Sequence, residues 1–241
     1  MEKSESSMLE EILSNWGKKC LFIPSAVRVN VTMKDVEVLL NHSVNSLSII
    51  NFNHNKLPTR DLYYQTYWDH TSLDKTKVNQ LIEEGCSFIL HNCTEINREI
   101  AALANQIEES LPGYHTDLHI YISTQKDATT YAPHRDRPQH KIFIQLMGKV
   151  HWKIYDYKEK LEDHVIAVNE EYAKKNFKVV MDVVAKPGDV IYMPDGVFHK
   201  VETLSPRVSL SFPIVKSLVK RKDRTTISLE KYFNNTEKLN V

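Results

Sequence analysis

Cysteine, net charge and long apolar runs are all scarce in this sequence of 241 residues, and each scarcity removes a class of protein. The three cysteines, Cys20, Cys86 and Cys93, are odd in number and lack CxxC spacing, the pattern of a reducing, intracellular compartment. The chain opens MEKSESS, without the basic segment and apolar run of a secretory leader, so a cytoplasmic location is expected. Its 31 basic and 31 acidic residues cancel. No whole-protein field therefore draws it onto nucleic acid or an anionic membrane, and a nucleic-acid partner is unsupported. No apolar stretch approaches the roughly 20 residues that span a bilayer. With 41% hydrophobic and 26% charged residues, the composition fits a globular protein with one sizeable core.

What is present is a change of texture near residue 115. Before it, apolar residues recur at helical spacing. Met8, Leu9, Ile12, Leu13 and Trp16 predict a short amphipathic helix over 7–17, followed by a small strand at Cys20 to Ile23. Thr32, with Asp35 three residues later, predicts an N-cap for a helix that buries Val36, Leu39 and Leu40. A strand is expected over Ser48 to Phe52, a cleft-covering loop over Asn53 to Asp74, and a helix over Leu73 to Glu84 that stops at Gly85. Ser87 to Leu90 is an apolar run. The best helical pattern starts at Thr94 and carries Ile96, Ile100, Leu103, Ala104, Ile107 and Leu111 before Pro112-Gly113 ends it.

From His115 onward short strands replace helices: Leu118 to Ser123, Lys141 to Met147, Val150 to Tyr155, Val165 to Val168, Val179 to Val184, Asp189 to Met193 and Val208 to Phe212. Turns fall at Gly148, Pro187-Gly188 and Asp195-Gly196. The expected fold is mainly β with helical additions, a double-stranded β-helix of the jelly-roll kind. Its helical region occupies residues 1–114 and its roll 115–214, within one domain reaching residue 225. Beyond the basic cluster Lys216, Lys220, Arg221, Lys222 and Arg224, residues 226–241 read as a helical tail. Leu229, Tyr232 and Phe233 would lie on one side of a helix from Thr226 to Lys238, packed on the roll or forming a homodimer contact.

Within Tyr131-Ala-Pro-His-Arg-Asp136, His134 and Asp136 stand two residues apart, a spacing that sends both side chains to one face of extended backbone. A third ligand would be His199, at the end of Lys186-Pro-Gly-Asp-Val-Ile-Tyr-Met-Pro-Asp-Gly-Val-Phe-His. Two imidazoles and one carboxylate on one face of an octahedron leave the remaining positions open. That is the non-haem Fe(II) arrangement, which admits a bidentate cosubstrate and dioxygen. An isolated HxD is common and most histidines are structural. The contexts of these three residues carry the assignment: a strand after the HxD, then Gly148 and Trp152 at an apparent hairpin, then a PGD-strand-Pro-turn-His unit.

Those two segments, Tyr131 through Tyr155 and Lys186 through His199, resemble the JmjC-type cupins of the ribosomal-oxygenase-like branch. The shared pattern is PHxD, an apolar strand ending in Gln, Gly and Trp, then PGD, an apolar strand, Pro and His. A weaker likeness reaches Trp16-Gly-Lys-Lys-Cys-Leu-Phe-Ile23 and Gly85-Cys-Ser-Phe-Ile-Leu90. The resemblance implies Fe(II), 2-oxoglutarate and hydroxylation, usually of a protein side chain.

A cosubstrate with two carboxylates also needs a fixed cation for its distal end. The resembling branch often places a lysine two residues before the Trp, where this sequence has Val150. Lys149 is adjacent but points to the opposite face of a regular strand unless Gly148 forms a bulge. Arg207, eight residues beyond His199, is the preferred substitute, since other 2-oxoglutarate oxygenases carry an Arg at a similar distance. The resemblance further implies that Tyr121 hydrogen-bonds the same carboxylate and that Gln145 supports the site, with Thr130 and Ser209 as additional hydroxyl candidates. His151 reads as structural, and Phe143, Trp152 and Phe212 as core.

The expected function is hydroxylation of a protein, peptide or amino-acid-like substrate. Two alternatives stand beside it: a metal-dependent cupin enzyme without 2-oxoglutarate, which Val150 favours, and a noncatalytic metal-binding module.

Overall fold

Side chains along each strand alternate between its two faces, and the tertiary structure sorts those faces into two compartments. The computed structural model describes residues 5–41, 46–50, 59–62, 70–73, 75–157 and 161–217. In chain order the elements are α1 (Glu5–Ser14), β1 (Leu21–Ile23), α2 (Met33–Asn41), β2 (Ser46–Ile50), β3 (Thr59–Leu62), β4 (His70–Leu73), α3 (Lys75–Glu83), β5 (Ser87–His91) and α4 (Arg98–Ser110). There follow β6 (Tyr114–Thr116), β7 (His119–Ser123), β8 (His140–Met147), β9 (Val150–Tyr157), α5 (Glu170–Asn176), β10 (Phe177–Ala185), β11 (Val190–Met193), β12 (Phe198–Thr203) and β13 (Arg207–Lys216).

The main sheet runs β1-β11-β8-β13-β7-β5-β2, with β6 also on β13; the minor sheet runs β10-β9-β12, and β3 and β4 pair as a separate ribbon. All these pairings are antiparallel, so the chain is mainly β with helical additions, and two sheets face each other as in a double-stranded β-helix. One face of the main sheet buries Leu90, Ile120, Ile142, Ile144, Leu210 and Phe212 against Met8 and Ile12 of α1 and Ile100, Leu103 and Ile107 of α4. Each such side chain contributes roughly 1.5–3 kcal/mol on removal from water. The other face looks into the roll, where Phe143, Ile191 and Met193 meet Val150, Trp152 and Ile154 of the minor sheet.

The capping residues account for the helix starts. Thr32 and Asp35 cap α2 reciprocally, the Thr32 amide donating to Asp35 Oδ2 at 2.8 Å and the Asp35 amide to Thr32 Oγ1 at 3.3 Å. In α4 the N-cap is Asn97 rather than Thr94; Asn97 Oδ1 accepts the Ile100 amide, whereas the Thr94 hydroxyl is committed to Asp117.

Several expectations change. Val165 to Val168 forms no strand; Ala167 makes a single bridge to His134, and Ile166 is exposed. β12 and the short α5 were not expected, because His199, Lys200 and Glu202 break any apolar alternation in β12. The turn at Gly148 joins no hairpin. It carries the chain from β8 in the main sheet to β9 in the minor one, with φ at +72° and so close to the Pro206 carbonyl that an added Cβ would lie 1.9 Å from its oxygen.

No described helix is long and apolar enough to cross a membrane, and Cys20, Cys86 and Cys93 are free thiols. The tail helix expected over Thr226 to Lys238 lies outside the described residues, as does most of the 53–74 loop apart from β3 and β4.

Candidate metal centre

The HxD segment lies outside the named strands, yet its backbone is extended and sheet-paired. The His134 amide donates to the His199 carbonyl at 3.0 Å and the His199 amide to the His134 carbonyl at 2.8 Å, so the segment lengthens the minor sheet beyond β12. On its other side it pairs with residues 166–168 through the Arg135 amide to Ile166 O and the Val168 amide to Pro133 O. Alternation turns His134 and Asp136 one way and Arg135 the other. Buried Arg135 donates to the carbonyls of Val165 (2.8 Å) and Glu162 (2.6 Å) and lies over the Phe198 ring. It locks the segment from behind. The turn before His199 is stitched on as well: the Gly196 amide donates to Asp136 O, and Asp195 Oδ1 accepts the Gln139 amide.

The PGD motif has a comparable local cause. Asp189 accepts the Ser25 and Lys186 amides, each at 2.8 Å, closing the turn into β11 and tying it to the chain's N-terminal part.

One potential ligand atom from each of His134, Asp136 and His199 lies within 4.8 Å of the others, close enough to hold one ion. His134 Nδ1 sits 2.9 Å from Ala132 O and His199 Nδ1 3.1 Å from Val197 O. A carbonyl only accepts, so both Nδ1 atoms carry the proton and both Nε2 atoms keep a free lone pair. Burial pushes the His199 imidazole down to about 3 and lowers that of His134, so both are neutral, as metal ligands must be. Burial acts to raise the Asp136 carboxyl, but the adjacent Lys141 ammonium prevails and holds it below the ordinary range. Asp136 Oδ2 is buried and ion-paired with Lys141 Nζ at 2.7 Å, and His199 Nε2 lies 3.6 Å away. A buried carboxylate beside two imidazole lone pairs is a donor set that fits a divalent cation.

Deeper in the roll lies Arg207, only 5% exposed. Register places it opposite Ser123, and Ser209 opposite both Tyr121 and Gln145. The guanidinium donates to Ser123 Oγ and Ser209 Oγ, each at 3.1 Å, and its carbon lies 5.9 Å from the centre of the Tyr121 ring. The Ser209 hydroxyl in turn donates to Gln145 Oε1 at 2.8 Å, and Gln145 Nε2 donates to Met147 O. Arg207 makes no ion pair among the described residues, and burial lowers its pKa to about 10. Ser211, on the same face of β13, has a buried hydroxyl without a partner among the described residues.

Sequence reasoning thus named most of this lumen, and the structure brings Tyr121, Gln145, Arg207 and Ser209 together. It sets Lys149 apart, exposed in the turn with its backbone held by Ser205 and Leu204. Thr130, half-buried in the connection from β7 to the HxD segment, also lies outside the Arg207 network. His151 is on the outer face between Glu202 and Asp182. Trp152 packs between Phe143 and the His199 ring. Lys141, Arg135 and Ser123 were missed. Lys141 had a signal, since it shares the parity of Phe143 and Gln145 on β8.

The fold and this cluster define a jelly-roll protein with a His-Asp-His site at the end of a polar lumen. A family model described as a JmjC domain matches residues 90–221, more than half of the chain, and the chain belongs to that family. It is 27% identical to ribosomal oxygenase 1 of Danio rerio over 186 residues, 75% of this chain and 30% of that protein. It is also 27% identical over 131 residues to the bifunctional lysine-specific demethylase and histidyl-hydroxylase NO66 of Aedes aegypti, covering 53% of this chain and 20% of that one. Among solved structures, E. coli YcfD superposes with a TM-score of 0.58 at 17% identity, covering 94% of this chain and 56% of YcfD. A structure described as YcfD, a ribosomal oxygenase, with cobalt and 2-oxoglutarate gives a TM-score of 0.56 at 18% identity, covering 93% of this chain and 53% of that one. The present chain therefore spans a third or less of these curated relatives and about half of the solved chains.

Proposed function

We propose that this chain is an Fe(II)- and 2-oxoglutarate-dependent oxygenase that hydroxylates a protein or peptide side chain or an amino-acid-like substrate. The observation that carries the reading is a pairing within one lumen: three convergent ligands at its end, and a buried guanidinium further in with no carboxylate partner among the described residues. Membership of the JmjC family and the cobalt and 2-oxoglutarate bound by YcfD support it.

In this reading His134, Asp136 and His199 hold the metal through Nε2, a carboxylate oxygen and Nε2. Bound iron with 2-oxoglutarate supplies the activation of dioxygen for hydroxylation. The chain's own residues do the rest. Arg207 receives the distal carboxylate, and Ser123 and Ser209 hold the guanidinium in place. Tyr121 and the free hydroxyl of Ser211 offer further hydrogen bonds along the cosubstrate. Phe143, Trp152, Ile191 and Met193 line the space between the sheets and keep water from it. Residues up to 225 form the catalytic unit, and the protein acts inside the cell. The test is succinate formation from 2-oxoglutarate by the iron-loaded protein, with substrate found as an enzyme-dependent gain of one oxygen in a peptide digest. Absence of 2-oxoglutarate binding to the metal-loaded protein would overturn the reading.

A further inference from the structure

Lys141 is a buried lysine in contact with a candidate metal ligand, and the function proposed above gives it no task. It is 4% exposed, at the start of β8 on the lumen face, with its ammonium 2.7 Å from Asp136 Oδ2 and 5.6 Å from the centre of the Phe143 ring. Tyr121 is its other hydrogen-bonding neighbour, and His119 and His91 lie near enough to feel its charge. Asp136 is its only ion-pair partner among the described residues.

Such a cation acts in two opposite directions. It competes with a divalent metal for the Asp136 carboxylate and repels the metal directly, which weakens the metal's hold. Once metal is bound, the same fixed charge attracts any anion that coordinates beside it. We propose that Lys141 is a positioning residue that acts through Asp136, lowering the metal affinity of the site and raising its affinity for a carboxylate ligand at the metal. This rests on the metal site of the proposed function but not on 2-oxoglutarate being the cosubstrate.

The experiment uses the full chain and two probes, Mn(II) alone followed by EPR of the free ion, and then oxalate titrated into the Mn(II)-loaded protein. Oxalate chelates the metal through two adjacent carboxylates, so its binding does not depend on 2-oxoglutarate. Lys141→Met removes the charge and the hydrogen bond; Lys141→Gln removes only the charge. Both are expected to bind Mn(II) about tenfold tighter or more and oxalate about tenfold weaker or more, and Lys141→Arg to restore both values towards wild type. The opposite signs distinguish this role from a structural one, since a damaged site loses both affinities together. Unchanged affinities, or two losses, in the variant that folds would overturn the proposal. A wild type that binds Mn(II) and oxalate but not 2-oxoglutarate would sink the cosubstrate reading while leaving this one standing.

Discussion

His134 and His199 exchange both of their backbone hydrogen bonds, at 3.0 and 2.8 Å, and their rings stand 4.3 Å apart. Residues 65 positions apart in the chain are thereby fixed in one antiparallel pair, with both side chains on the lumen side. The geometry of the site follows from this pairing rather than from mobile loops.

Replacing either histidine or Asp136 by alanine is expected to abolish stoichiometric Fe(II) or Mn(II) binding and, with it, succinate formation. Metal content after gel filtration and single-turnover succinate assays measure this. A His134→Ala protein that keeps turnover contradicts the ligand set.

Arg207→Met is expected to weaken 2-oxoglutarate binding by about 2 kcal/mol or more, roughly thirtyfold in Kd, with Mn(II) affinity retained. Stability of the ligand-free protein should stay level or rise, because a buried cation without a carboxylate is costly. Calorimetric titration and thermal melts with and without 2-oxoglutarate separate the two effects. Unchanged 2-oxoglutarate binding would remove Arg207 from the site.

Arg135→Met should destabilise the protein by about 1–3 kcal/mol, since it removes the charge-assisted hydrogen bonds to the carbonyls of Val165 and Glu162. It should also weaken Mn(II) binding, because Arg135 separates the two ligands of the HxD segment and holds that segment from behind. Urea denaturation and Mn(II) titration test the link. Loss of stability with metal affinity intact would confine Arg135 to a structural role.

The metal-free protein should lose stability as pH falls below 6.5. In the fold, burial takes His199 down to about 3 and His119 to about 4, whereas the unfolded chain protonates both near the ordinary value of 6.5. Between those limits the unfolded state binds more protons, so each histidine costs about 1.4 kcal/mol per pH unit. Above 6.5 the contribution vanishes. Urea midpoints from pH 7 to 5 measure the slope, which should be shallower in His199→Gln.

Local chemistry made much of this protein legible from its residues alone. The reciprocal cap at Thr32 and Asp35, the periodicity of Ile100, Leu103 and Ile107, the alternation along β7 and β8, and the HxD spacing are all set within a few residues. They depend on sterics and hydrogen bonds that operate at short range. The same alternation implied that Arg207 and Ser209 share a face. What it could not supply was the identity of the opposing surface. β12 was hidden because its polar residues are paired across strands, and Lys149 and Lys141 could be ranked only by knowing which lysine enters the roll.

By itself, then, the sequence determined a mainly β chain with helices before residue 115 and three residues suited to one metal. The tertiary structure alone decided that Gly148 leads from one sheet to the other, that His134 pairs with His199, and that Arg207 and Lys141 are both buried in the lumen while Lys149 remains in solvent. Those outcomes depend on contacts between segments 60 or more residues apart, whose register is chosen by burying the apolar faces of both sheets together.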